Sequence, residues 1–257
     1  MAQTQKKVDY DVLVVGAGLA GLACGLALAA AGAKVCLCDA AKPPKFGSKD
    51  FARDPRVTAL SASSVAMLEN LGVKAALRDS PVSDMRVSAD HPYASMGAGL
   101  LSFNASGHEA DPIAYIVPNH LLHQALLTAA KAHQQITLLY DVVVGDMTEQ
   151  AAKIGATLAD GKIIWASLLV GADGSMSGIR KKAGIEVFEH DYGTSALVAN
   201  VTHKGAHEQR ASQFFKQGGP LACLPLPRTR KGWESSVVWP EKKDVAAALL
   251  DLNQDEL

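Results

Sequence analysis

Residues 11–39 read DVLVVGAGLAGLACGLALAAAGAKVCLCD, and they include 22 consecutive uncharged residues, Val12 to Ala33. About 20 apolar residues are enough for a helix to cross a bilayer, so the length alone would permit a transmembrane segment. The glycines argue against it, because Gly16, Gly18 and Gly21 form a G-x-G-x-x-G motif directly after the apolar run VLVV. The stretch is therefore predicted to fold as several short elements.

The glycine spacing predicts a βαβ unit. A first strand is followed by a glycine turn, a helix of small residues closed by Gly32, and a second strand that ends at Asp39. In such a unit Gly16 permits the turn, Gly18 lets the backbone approach a pyrophosphate, and Gly21 lets helix and strand pack closely. Asp39 is expected to accept hydrogen bonds from ribose hydroxyls. The motif predicts a dinucleotide site and leaves FAD and NAD both open.

The composition is that of a globular chain. Its 257 residues are 48% hydrophobic and carry a net charge of -1. Such a chain offers no broad basic field, so nucleic acid is not expected as a partner. Residues 1–11 contain acidic side chains before any apolar stretch begins, and no small-residue cleavage site follows them. This is not the pattern of a secretory signal peptide, so a cytoplasmic protein is predicted.

Cysteines and histidines give little indication of a metal or redox site. Cys36 and Cys38 alternate along a predicted strand, so both thiols are expected to be buried on one face of the sheet. His120 and His123 are three residues apart and could share a helical face, but no nearby cysteine or carboxylate completes a ligand set. No metal site and no catalytic Ser/His/Asp set is predicted.

Beyond the second strand, the pattern alternates between helices and strands. ALSASSVAMLENLG has helical spacing before Gly72, which places Arg56 just before a helix. Residues 81–111 predict a small β insertion, and a helix is expected after Pro118. Three strands then follow, the last of which runs into VGADG, as in a parallel strand that carries a β-meander. The predicted class is α/β, with a Rossmann-like domain.

A domain change is expected near residue 184. Residues 1–183 would form the dinucleotide-binding domain, and residues 184–257 would contribute antiparallel strands to a second sheet that the insertion at 81–111 could join.

The segment VGADGSMSGIR places an acid at the carboxyl end of a strand. Asp173 and Gly174 follow the strand directly, and Ser175, Ser177 and Arg180 come next. Open α/β sheets bind ligands at this edge, which predicts a ligand contact for Asp173. An alternative is an Asx turn that caps a short helix and leaves Arg180 in solvent. The segment by itself leaves both interpretations open.

Taken in order, the motifs resemble those of the flavin-dependent aromatic hydroxylases, relatives of para-hydroxybenzoate hydroxylase, and in particular the ubiquinone-biosynthesis hydroxylases. The matching segments are GAGLAG at 16–21, DPRVTALS at 54–61, LENLG at 68–72, IVPN at 116–119 and VGADGSMSGIR at 170–180. The resemblance covers almost the whole chain.

The resemblance implies FAD in the Rossmann-like unit, so that residues 1–183 are the FAD-binding domain and residues 184–257 are the N-terminal part of a substrate domain. It also implies NADPH as reductant. It implies that Arg56 lies near the diphosphate and ribityl part of FAD, that Asn119 belongs to the cofactor site, and that Asp173 and Gly174 contact FAD. Because this segment also serves NADPH in the family, Arg180 is a candidate for the nicotinamide cofactor. The reaction implied is hydroxylation of a polyprenylated phenol by NAD(P)H and O2. Peripheral association with the inner membrane or with a ubiquinone-biosynthesis complex is a further expectation.

Two departures from the family keep other functions open. Pro118 occupies a position where relatives often carry a Glu or Gln that reaches the flavin. The family's later Gly-Asp motif does not occur before Leu257, so the chain is expected to be truncated and to self-associate through the surface left open. One alternative function is a non-catalytic nucleotide-binding remnant. The other is a nicotinamide-only dehydrogenase built on the same unit.

Overall fold

A computed structural model describes residues 8–46, 54–89, 101–105, 112–150, 152–216 and 218–252. The helices in these residues are α1 (Leu19–Ala30), α2 (Ala62–Asn70), α3 (Asn119–Ala132), α4 (Gly178–Lys182) and α5 (Lys243–Leu250). The strands are β1 (Tyr10–Val15), β2 (Val35–Asp39), β3 (Val57–Leu60), β4 (Pro81–Val82), β5 (Asp84–Ala89), β6 (Leu101–Asn104), β7 (Ala114–Pro118), β8 (Ile136–Tyr140), β9 (Val144–Gln150), β10 (Lys153–Leu158), β11 (Ile163–Gly171), β12 (Thr194–His203), β13 (Arg210–Lys216), β14 (Gly219–Thr229) and β15 (Gly232–Lys242).

The chain divides into two compact units. The first consists of Met1–Ala52, Leu68–Ala75 and Leu122–Phe188, and the second of Arg53–Met67, Ala76–Leu121 and Glu189–Leu257. Each sheet lies within one unit. The boundary expected at residue 184 separates a cofactor domain from a substrate domain. Because these domains are defined by what they bind, that boundary stays a prediction.

The first unit contains a six-stranded sheet in the order β8-β2-β1-β11-β10-β9. Strands β8, β2, β1 and β11 run parallel, and β10 and β9 continue from β11 as antiparallel strands. The central strands read as continuous apolar runs because both of their faces are covered, and Leu13, Val14 and Leu37 are fully buried. The predicted Rossmann-like unit with its β-meander is confirmed.

The uncharged stretch does not form one long helix, because its glycines interrupt it. Gly16 has a φ of +109°, which L side chains rarely adopt, and it turns the chain from β1 into α1. At the other end Gly32 has a φ of +94°, and the N–H of Ala33 donates to the carbonyl of Leu28 at 3.1 Å, as expected for a glycine-closed helix. None of the helices in the described ranges has the length and apolar character needed to span a membrane.

Both cysteines of β2 belong to the core, as predicted. Cys36 and Cys38 pack with Leu13, Val15 and residues of the meander on one face of the sheet. Burial, with a contribution from Cys38 and Asp9, raises the pKa of Cys36 to about 12. Burial and the Asp39 carboxylate raise the pKa of Cys38 to about 11. The two thiols therefore stay protonated at neutral pH.

The second unit contains a six-stranded sheet in the order β12-β15-β14-β13-β5-β6 and a small sheet β3-β7-β4. Strands β12 to β15 are antiparallel neighbours, as predicted, but β5 pairs with β13 in parallel, so the sheet is mixed. This parallel pairing was not predicted. The part of the predicted insertion at residues 90–100 and 106–111 lies outside the described residues. A core of Val82, Ile116, Ala211 and Leu226 fills the unit.

One predicted helix start is wrong. Arg56 precedes a strand and not a helix, because VTAL forms β3 and pairs antiparallel with β7, and α2 begins only at Ala62. Cross-strand pairing overrides helical periodicity at this place.

The apolar face of α5 is only partly covered within the described residues. Ala246 is buried, whereas Val245 in the helix is 40% exposed and Leu252, which follows the helix, is 39% exposed. Self-association through such a surface stays a prediction.

Gly21→Ala is expected to destabilise the first unit by about 1–3 kcal/mol, because the added Cβ would lie 1.9 Å from the carbonyl oxygen of Gly16. The matched control is Gly18→Ala, where an added Cβ meets no atom within 4 Å. Its free energy of unfolding should change by less than about 1 kcal/mol. Urea unfolding of the three proteins tests this, and equal stabilities would contradict the close contact.

Stability should also fall at alkaline pH because of Cys36. A folded-state pKa raised from 9.0 to about 12 means that the thiol's contribution is fully present below 9.0 and is lost as the pH rises toward the higher value. We expect the free energy of unfolding to drop as the pH rises above 9.0 toward about 12. Cys36→Ala should reduce this drop, whereas Cys24→Ala, at a half-exposed position of α1, should not. The same drop in all three proteins would refute the assignment.

Candidate functional site

A cavity of about 440 Å³ lies in the first unit, at the carboxyl ends of its parallel strands. The turn after β1 contributes Gly16 and Gly18, the end of β2 contributes Asp39, and the turn after β11 contributes Asp173 and Gly174. Strand β1 lies between β2 and β11, so the chain leaves β1 at the point where the strand order reverses. Ligands of open α/β sheets bind in the crevice at such a point. Five of the nine predicted site residues thus line one cavity.

The glycine turn is held by hydrogen bonds to β2. The N–H of Gly16 donates to the carbonyl of Cys38 at 2.7 Å, and the N–H of Ala17 donates to Oδ2 of Asp39 at 2.7 Å. Gly18 caps α1 with an extended backbone, and a Cβ built on it would meet nothing within 4 Å. The first turn of a helix has N–H groups without intrahelical acceptors, and these favour an anion. The turn therefore leaves room for a phosphate at Gly18.

Asp39 binds the backbone with both carboxylate oxygens. Besides the bond to Ala17, its Oδ1 accepts the N–H of Ala41 at 2.8 Å. Each oxygen keeps further acceptor capacity, so a ribose hydroxyl could still donate to it. Burial and the charge of Asp39 raise the pKa of Tyr140, whose strand pairs with the end of β2. Tyr140 is therefore a neutral phenol at neutral pH.

Asp173 lines the cavity and binds the first turn of α4, whose N-cap is Ser177. Its carboxylate accepts hydrogen bonds from the hydroxyl of Ser177 and, at 3.1 Å, from the N–H of Ile179. Burial raises the pKa of Asp173, but these hydrogen bonds outweigh burial, and the pKa lies below the usual value of a carboxyl. The capped helix of the alternative interpretation is therefore present, but Arg180 is not left in solvent as that interpretation required, because its Nε is buried. The cap does not exclude a ligand contact, because Asp173 and Gly174 face the cavity that Gly18 lines.

Arg180 and Gly21 do not line this cavity in the part of the chain that the structure describes. Gly21 packs behind the turn, where it lets α1 approach Gly16. Arg180 donates from Nη2 to the carbonyl of Ser175 at 2.7 Å. Its Nε is buried and finds no hydrogen-bond acceptor among the described residues. A buried cationic donor without an acceptor is costly, which makes Arg180 a candidate for binding an anion.

Arg56 and Asn119 lie together in the second unit. The N–H of Asn119 donates to the carbonyl of Arg56 at 3.0 Å, and the hydroxyl of Thr58 donates to Oδ1 of Asn119 at 2.6 Å. The guanidinium of Arg56 donates to both oxygens of Asp54, at 2.9 and 2.8 Å. Hydrogen bonding to Asp54 raises the pKa of Arg56, and the Arg56 side chain is 69% exposed. The structure thus fixes these two residues relative to each other.

The sequence interpretation missed two contributors in the first unit. Residues 142–144 form one wall of the cavity, although the pattern marked them only as a strand. His123 was considered only as a metal ligand, but its Nε2 lies 3.0 Å from the carbonyl oxygen of Ala17, inside the glycine motif. Its place beside the buried residues Leu122 and Leu126 of α3 was the available indication that it packs inward. Among the described residues, no group of three His, Cys, Asp or Glu side chains could hold a metal ion.

Curated proteins similar to this chain include hydroxylases of ubiquinone-type compounds. The ubiquinone hydroxylase UbiL of Rhodospirillum rubrum is 34% identical over 244 residues, which cover 94% of this chain and 54% of that protein. The 3-demethoxyubiquinol 3-hydroxylase of Escherichia coli is 31% identical over 252 residues, covering 96% of this chain and 61% of that protein. The predicted resemblance is confirmed. The chain spans between half and two thirds of the length of these relatives.

A solved structure shares the fold of this chain. PqsL from Pseudomonas aeruginosa, a probable FAD-dependent monooxygenase, matches with a TM-score of 0.73 and 21% sequence identity, over 93% of this chain and 62% of that one. At this identity the likeness concerns the fold alone. A family model described as the FAD binding domain matches residues 9–241. Because the match spans nearly the whole chain, this protein belongs to the FAD binding domain family.

Proposed function

We propose that this chain binds FAD and forms part of a monooxygenase that hydroxylates a prenylated phenol in ubiquinone biosynthesis. The observation that carries the proposal is the cavity in which the glycine turn, Asp39 and Asp173 come together at the edge of a parallel sheet. The names of the similar hydroxylases support the choice of pathway. The proposed reaction consumes NAD(P)H and O2 and yields one ring hydroxyl and one water.

The residues of the cavity fit the adenosine diphosphate part of FAD. Open space at Gly18 would let a pyrophosphate come close to the backbone, and a side chain there would fill that space. The N-terminus of α1 would stabilise the negative charge of the phosphates. Asp39 lies at the end of β2, where it would accept hydrogen bonds from the ribose. A volume of about 440 Å³ is in the range typical of small-molecule sites.

Asp173 and Gly174 would contact another part of FAD, and the proposed cofactor roles of Arg56 and Asn119 rest on the sequence motifs alone. Asp173 is held in one orientation by Ser177 and Ile179, so it would meet the cofactor as a fixed acceptor. Arg180, with its buried Nε lacking an acceptor among the described residues, is the proposed contact for a phosphate of NADPH. FAD, when bound, supplies the redox chemistry by which dioxygen and a nicotinamide coenzyme hydroxylate an aromatic ring. The protein would bind the reactants and keep water out.

The proposed substrate contact is an apolar part of the second sheet. Val198, Val238 and Ala222 lie side by side on β12, β15 and β14, and all three are half-buried. Such a surface suits a phenol with a prenyl tail. Leu226, further along β14, belongs to the core and is not part of this proposal. Because a prenylated substrate resides in lipid, peripheral contact with the inner membrane or with a ubiquinone-biosynthesis complex is included in the proposal.

The two alternative functions differ in how well the observations support them. Membership of the FAD binding domain family favours FAD over a nicotinamide-only dehydrogenase. A non-catalytic nucleotide-binding protein would use the same cavity and is distinguished only by an activity measurement. Nucleotide binding and turnover therefore have to be measured separately.

Gly18→Val is expected to weaken the binding of ADP and FAD by more than about tenfold, because the side chain would occupy the approach of the pyrophosphate. The fold should remain intact, since no atom lies within 4 Å of the added Cβ. Titration calorimetry with each nucleotide and thermal melting measure the two effects. Gly205→Val, another glycine with open space around it, is the matched control. Unchanged affinity in Gly18→Val would refute the assignment of the cavity.

Hydroxylation is tested with ¹⁸O2 in the presence of FAD, NADPH and a prenylated phenol. One ¹⁸O atom should enter the ring for each NADPH oxidised, and Gly18→Val should abolish the incorporation. Mass spectrometry of the product and absorbance of NADPH give both quantities. A protein that binds FAD but leaves the phenol unchanged would instead support the non-catalytic alternative.

A further inference from the structure

His123 lies within the first unit and contacts the glycine motif. It follows the buried Leu122 on α3, is itself half-buried, and brings Nε2 to 3.0 Å from the carbonyl oxygen of Ala17. A carbonyl oxygen can only accept a hydrogen bond, so Nε2 must carry the proton that is shared. The contact therefore fixes which ring nitrogen of His123 donates.

The backbone of Ala17 is consequently held by hydrogen bonds at both its N–H and its carbonyl. Its N–H donates to Oδ2 of Asp39 at 2.7 Å, and its carbonyl accepts from His123. Ala17 is 3% exposed, so water has little access to replace either partner. Asp39 comes from β2 and His123 from α3, so two elements distant in sequence hold one residue of the turn.

The direction of the next N–H depends on this carbonyl. The carbonyl of Ala17 and the N–H of Gly18 belong to one planar trans peptide, in which they point in opposite directions. By holding the carbonyl toward α3, His123 keeps the N–H of Gly18 pointing away from α3. Gly18 lines the cavity, and it is the residue at which the pyrophosphate is expected to approach.

We propose that His123 is a positioning residue that aligns the Gly18 N–H for the pyrophosphate of a bound dinucleotide, by donating a hydrogen bond to the carbonyl of Ala17. The inference rests on the proposed function of the cavity. Without the donor, the peptide between Ala17 and Gly18 could rotate, and the amide would no longer be pre-aligned for the phosphate.

The test compares His123→Leu with His123→Gln. The first removes the donor, and the second keeps an N–H that can reach the carbonyl. We expect the Leu variant to bind ADP about tenfold more weakly than wild type, and the Gln variant to lie within about threefold of it. Gln124→Leu, at an exposed neighbouring position on the same helix, is the matched control and should bind normally. Should the Leu variant not fold, His123→Asn, whose amide is too short to reach Ala17, must show the same loss.

Two results would overturn the inference: wild-type affinity in the Leu variant, or equal losses in the Leu and Gln variants. A wild-type chain that binds neither ADP nor FAD would instead defeat the proposed function of the cavity. The role of His123 would then be read from hydrogen exchange at the Ala17 amide, whose N–H donates to Asp39, measured by NMR. This exchange must become faster in the Leu variant but not in the Gln variant, and an unchanged rate in both would refute the contact.

Discussion

Three stretches of backbone meet behind the glycine turn at distances that leave no space for a side chain. A Cβ on Gly16 would lie 2.2 Å from the carbonyl oxygen of Ala172, and a Cβ on Gly21 would lie 1.9 Å from that of Gly16. The close contact brings the turn after β1, the start of α1 and the turn after β11 together. Because of it, Asp173 and Gly174, more than 150 residues further along the chain, line the same cavity as Gly18.

The polar groups around this cavity are organised mainly by bonds to backbone. Asp39 accepts two backbone N–H groups, and Asp173 accepts one together with the hydroxyl of Ser177. Acceptors held in this way do not have to reorganise when a ligand arrives, which lowers the entropic cost of binding. Only part of their acceptor capacity is used, so each carboxylate can bind backbone and ligand at once. The site is therefore largely preformed.

The sequence predicted the parts of the fold that depend on local spacing. The βαβ unit, the glycine-closed helix and the buried thiols all follow from residues that are close together along the chain. Pairing between distant strands was less predictable. The strand after Arg56 forms because β7 pairs with it. The parallel pairing of β5 with β13 is not indicated by any pattern in the residues of either strand. The contact of His123 was not predicted for a similar reason. Its partner is a main-chain carbonyl, which every residue type has, so the sequence does not mark it.

The parallel pairing of β5 with β13 also has a consequence for synthesis of the chain. Asp84 and Arg210, which are joined by an ion pair, are separated by 126 residues. On the ribosome, β5 therefore emerges long before its partner strand exists, and the second sheet cannot close until β13 has been translated. During that interval one edge of β5 exposes unpaired N–H and carbonyl groups, which are targets for aggregation. Slow closure of this sheet, and chaperone binding while it is open, are the expected costs of this topology.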